Sequence, residues 1–177
     1  MPIDFLHCSV LESDLQPRVQ FNLILTRVKQ GSGLIKATLS GEELVEDLIW
    51  DSSLSVQIQE IDEDHRRLVD LFNILNHSVE DGDAGNYIEA VLEELINCTV
   101  WHFSHEERLM IKHGYTGLEE HHKEHQDLIN SARALQQKFL QEDEPLSSED
   151  IEFLEQWLTG HILGADMELG AYLGEVM

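Results

Sequence analysis

Five histidines and two carboxylates occupy positions where an ordinary helical protein would place apolar side chains. His102 and Glu106 in "HFSHEERLM" are spaced i, i+4, and so are His121 and His125 in "GLEEHHKEH". That spacing sets both members of each pair on one face of a helix, about one turn apart. His65 and His161 stand in the apolar stripes of two further segments, and Asp166 follows His161 by five residues. A single histidine on such a face is usually a hydrogen-bonded core residue. Burying five imidazoles and two carboxylates together is costly unless each finds a partner, and a metal centre satisfies all of them at once. Imidazole with carboxylate suits iron, zinc, copper or nickel, and no thiolate draws the choice towards softer ions. Seven donors are too many for one tetrahedral zinc and suit two cations sharing carboxylates. The H-E-x-x-H pattern is absent, because Leu109 stands where its second histidine belongs. Only Glu119 and His122 have the Glu-x-x-His spacing that ferritin-like centres use twice, which disfavours that class.

These side chains need helices to hold them. Ile61, His65, Leu68, Val69, Phe72, Leu75 and Val79 recur at three- and four-residue steps and predict a first helix, ended by "EDGDAGN". A second helix is expected from about Tyr87 to Lys112, with "HGYTG" as its stop. A third runs from about Leu118 to Gln141. A fourth starts at Ser147 or Ser148, both good N-caps, and carries Ile151, Leu154, Leu158 and His161. Four helices with short connections predict an all-α antiparallel up-down four-helix bundle over residues 47–177. On an ideal helix His161 and Asp166 lie about 140° apart. Serving one centre therefore requires non-ideal backbone near Leu163 to Ala165, where Gly164 permits it.

Residues 1–46 read differently. Val19, Phe21, Leu23 and Leu25 alternate, "QGSG" suggests a turn, and Ile35, Ala37 and Leu39 alternate again, so a small β-hairpin extension is expected. A possible capping box, Ser40 with Glu43, opens a short helix after it. The extension is too small to bury a core alone. The formal net charge of −24 repels phosphate backbones and argues against nucleic acid as a partner. No apolar run reaches the length of a membrane span. The first ten residues carry no basic-then-apolar pattern, so a cytoplasmic chain is expected. Its two cysteines, Cys8 and Cys98, form no C-x-x-C pair and are expected to be reduced thiols.

The stretches "WDSSLSVQIQEIDEDHRRL", "HFSHEERLM", "GYTGLEEHHKEH" and "WLTGHILGAD" closely resemble the bacterial hemerythrins, from about Trp50 to near the C-terminus. The resemblance implies a non-heme di-iron centre. One iron would be held by His121, His125 and His161, the other by His65 and His102. Glu106 and Asp166 would bridge them together with an oxo or hydroxo group. The second iron then has one open position, where dioxygen would bind reversibly. Trp50 and Ile61, in the family-like entry segment, are candidates to cover that iron, and Leu109 and Met110 are candidates to line the oxygen pocket. The implied function is a non-enzymatic oxygen carrier, store or sensor. A di-iron peroxidase or oxidase is the alternative, as is an oxygen- or iron-sensing regulatory module acting through the extension, which is the candidate surface for a protein partner or for self-association. No added acid, base or redox motif supports the enzyme. The remaining histidines, His7, His77, His105, His113 and His122, are expected to be structural or solvated.

Overall fold

The computed structural model describes residues 47–142 and 145–177. The expected β-hairpin, with His7 and Cys8, lies outside the described residues. Among those described, every regular element is helical: α1 (Gln59–Glu80), α2 (Gly85–His113), α3 (Leu118–Glu142), α4 (Ser148–His161), a π turn (Ile162–Asp166) and α5 (Met167–Val176). The last three are continuous and make the fourth rod of an antiparallel bundle. Each helix packs on its successor, and α4 returns to α1.

The ends of the helices follow from local chemistry. Gly114 takes φ +73, a left-handed conformation that glycine adopts without strain, and the Tyr115 N–H then donates to the Met110 carbonyl. The α4 start is a capping box. The Ser147 hydroxyl accepts from the Asp150 N–H, and the Asp150 carboxylate accepts from the Ser147 N–H. Helix bounds lie within two residues of those expected from periodicity.

The core is continuous along the inner stripes, with Phe72, Leu75, Leu92, Leu95, Ile151 and Leu154 almost wholly buried. At one end a second apolar cluster joins Val56, Ile58, Ile61, Leu109, Met110, Leu169 and Leu173. The segment before α1 is tied down there. Asp62, itself buried, accepts from the Val56 N–H at 2.9 Å and from the Ser55 hydroxyl at 2.6 Å. Gly170 lies so close that a Cβ would sit 2.4 Å from the Val56 carbonyl oxygen. Only glycine permits that approach. Cys98 is buried on α2.

Candidate metal centre

α1 supplies His65, α2 supplies His102 and Glu106, and α3 supplies His121 and His125. The fourth rod supplies His161 and, across the π turn, Asp166. The structure brings all seven together, and none is more than 5% exposed. Their donor atoms form two overlapping groups, each within 4.8 Å: Glu106, His121, His125, His161 and Asp166 in one, His65, His102, Glu106 and Asp166 in the other.

The non-ideal backbone expected beyond His161 is a π turn. There the Met167 N–H reaches the Ile162 carbonyl, five residues back. A π turn takes in one more residue than an α turn, so positions five apart come nearly into line. The result is a distance of 3.0 Å from His161 Nε2 to Asp166 Oδ1.

Each carboxylate divides its oxygens between the two groups. Asp166 turns Oδ1 to His121 and His161, at 3.2 and 3.0 Å, and Oδ2 to His65 at 3.2 Å. Glu106 turns Oε2 to His125 and His121, at 3.2 and 3.6 Å, and Oε1 to His102 at 3.8 Å. His65 Nε2 and His102 Nε2 converge to 3.1 Å.

This donor set fits cations. Both oxygens of Glu106 and of Asp166, and Nε2 of His121, His125 and His161, are buried without a hydrogen-bond partner. Leaving a buried polar group unsatisfied costs on the order of 1–3 kcal/mol, and seven such atoms aimed at one another need positive charge between them. Burial and the Asp166 charge push the Glu106 carboxyl up, but His102, His121 and His125 outweigh them and hold it at about 2. Burial likewise raises Asp166, and His121, His161 and His65 pull it well below the ordinary carboxylate range. Burial lowers His121, yet Asp166 and Glu106 raise it to about 9. Two ionised carboxylates are thus fixed in a nearly dry core, and a cation binding there displaces imidazole protons.

Three further acids were not legible as part of the site. Glu107 accepts from His125 Nδ1 at 3.0 Å and from His122 Nδ1 at 2.8 Å. Glu124 accepts from His161 Nδ1 at 2.8 Å. Asp64 accepts from His105 Nδ1 at 2.7 Å and lies 3.5 Å from His102 Nδ1. His105 is therefore not outward and solvated as expected. It is half-buried between Asp64 and Glu60. His77 and His122 are exposed as expected, and His113 is half-buried at the end of α2.

A small cavity of about 10 Å³ opens against His65, His102, His161 and Asp166, walled by Leu68, Thr99, Phe103, Trp157, Leu158 and Ile162. That volume is near the least that holds one water-sized molecule. Leu109 and Met110 do not line it. Together with Ile61 they belong to the cluster around Val56. Trp50 does approach the site: its ring centroid is 6.1 Å from that of His65, and Arg66 covers it at 5.0 Å.

A bundle with this donor set is a dinuclear histidine–carboxylate protein. The family model for the hemerythrin HHE cation binding domain matches residues 56–173. The chain is 35% identical to a bacteriohemerythrin of Pseudomonas paraeruginosa over 119 residues, 67% of this chain and 76% of that protein. It is 32% identical to the myohemerythrin of Riftia pachyptila over 127 residues, 71% of this chain and 93% of that one. A crystal structure of wild-type hemerythrin superposes with a TM-score of 0.66 at 28% identity, covering 71% of this chain and 97% of its own. The chain belongs to the hemerythrin family. Membership carries a non-heme di-iron, oxygen-binding domain, and places the chain with oxygen-binding proteins and not with enzymes. Among the described residues no helix is long and apolar enough to cross a membrane.

Proposed function

We propose that this protein is an oxygen carrier or store, with one iron held by His121, His125 and His161, a second by His65 and His102, and Glu106 and Asp166 bridging. The observation that carries the reading is the division of both carboxylates, one oxygen to each group of imidazoles. Two reduced irons held there would supply, between them, the electrons that reversible capture of dioxygen borrows.

The remaining work belongs to the protein. His65 and His102 offer one imidazole fewer than the other group, so that position is one protein donor short. The cavity lies beside them. Leu68, Phe103, Leu158 and Ile162 wall it, keep water away from the open side, and offer no proton. Phe103 also stacks on His125, with ring centroids 3.8 Å apart and planes 5° from parallel, and so fixes that ring. Apart from the proposed ligands the wall carries no acid or base, and its Thr99 hydroxyl and Trp157 N–H are already donated to the Leu95 and Leu128 carbonyls, which favours holding dioxygen over cleaving it.

In this reading residues 47–177 are the oxygen-binding unit and residues 1–46 are an appendage outside it. The family match, which begins at residue 56, supports that division. A cytoplasmic location and the absence of a nucleic-acid partner remain expectations of the sequence, the latter from the charge of −24.

The test is optical. Iron-loaded, reduced full-length protein is exposed to air and then evacuated. A visible band that appears with oxygen and fades under vacuum is the expected result. Steady consumption of peroxide and a reductant, without a reversible band, would assign the centre to a peroxidase or oxidase instead.

A further inference from the structure

We infer that Glu107 and Glu124 are positioning residues that make the three-histidine position the tighter of the two cation sites. The inference rests on the proposed dinuclear reading and adds to it a cause for inequality between the two halves.

The argument begins with which ring nitrogens have partners. A carboxylate can only accept, so each contact fixes a proton on Nδ1 and leaves Nε2 with its lone pair. Glu107 does this for His125 at 3.0 Å, and Glu124 does it for His161 at 2.8 Å. Both rings then present Nε2 inward, His125 to Glu106 and His161 to Asp166. A carboxylate behind an imidazole also strengthens it as a donor to a metal.

The two-histidine side lacks equivalent support. His65 Nδ1 is buried and has no hydrogen-bond partner among the described residues. His102 Nδ1 lies 3.5 Å from Asp64 Oδ2. At 3.5 Å the contact is too long for a good hydrogen bond. The three-histidine side therefore has an additional imidazole and two well-made carboxylate contacts behind it. The other side has one long contact.

Solvent separates the two acids. The Glu107 side chain is 24% exposed and Glu124 is 46% exposed. Water screens the more exposed charge more strongly. Glu107 thus contributes charge as well as orientation, whereas Glu124 contributes chiefly orientation. Glu107 also gains order from its second donor, the exposed His122 at 2.8 Å.

The test is stepwise cation binding by the full chain, using zinc(II) as a redox-silent probe and ferrous iron under nitrogen. Both are titrated against a competing chelator, with circular dichroism to verify the fold. Wild type should bind two cations with distinct affinities. Glu107→Ala should weaken the tighter step by about 10- to 100-fold and leave the weaker step nearly unchanged. Glu124→Ala should weaken the same step by less. The amide variants separate orientation from charge, because a glutamine oxygen still accepts from Nδ1. Glu124→Gln should restore most of the affinity, and Glu107→Gln only part of it. A tighter step unchanged in both alanine variants, or both steps falling equally, overturns the inference. A wild type that fails to bind a pair of cations overturns the dinuclear reading itself, before any variant is compared.

Discussion

Glu106 and Asp166 each point one oxygen towards His121, His125 or His161 and the other towards His65 or His102. Desolvation alone would neutralise them, and the surrounding imidazoles outweigh it in both. Six of the inner residues stood out because helical periodicity places a polar residue on an apolar stripe only at a cost, whereas Asp166, off the stripe of an ideal helix, came from the family resemblance. Glu107, Glu124 and Asp64 were not legible. As partly exposed acids in an acidic chain, they carry no periodic signal, and their partners lie on other helices. Away from the centre, Asp150 gives a residue-scale prediction. Burial raises its carboxyl, but the Ser147 N–H and hydroxyl, with Lys138, hold it below its ordinary value of 3.8. A depressed carboxylate contributes stability that is present above the ordinary pKa and lost as pH falls through the folded one. Ser147→Ala should cost about 1 kcal/mol at pH 7. Urea midpoints of the two proteins should converge as pH falls below 3.8.

Between His161 and Asp166 the element itself does the positioning. The spacing of five announced that a regular α-helix would fail here, but not which irregularity would replace it. The chain does not stop: it widens by one residue over Ile162–Asp166 and continues as α5. A widened turn absorbs one residue, so shortening and lengthening should differ in outcome. Deleting Gly164 leaves the histidine and aspartate four apart on an ordinary helix, still on one face. That variant should retain two cations per chain. Inserting one alanine after Gly164 sets them six apart and should lower cation content by at least one per chain in elemental analysis. Equal behaviour of the two variants would contradict the role assigned to the turn. Leu109 and Met110 teach a related lesson about elements. Both were candidates to line the oxygen pocket, but they pack into the Val56 cluster.

At the scale of the molecule, the bundle buries Glu106 and Asp166 where cations are wanted, in a chain whose formal net charge is −24. The four helices and their connections were legible, because long periodic stripes, glycine stops and serine caps all agree. The cavity was not legible, because its walls come from three of the four rods and no single stripe describes them. A core that buries two carboxylates for the sake of cations should lose stability when the cations are withdrawn. Chelation should lower the melting temperature by several degrees or more, since ligand at 100 times its dissociation constant contributes roughly 2.7 kcal/mol. An unchanged melting curve would argue that the acids are neutralised some other way.

Anomalous diffraction at the iron edge, on crystals of the iron-loaded protein, tests the central claim most directly. The account predicts two peaks with Glu106 and Asp166 between them, one among His121, His125 and His161, the other against His65 and His102 with a side free of protein donors facing the cavity. A single peak, or two peaks with equal numbers of protein donors, would contradict it.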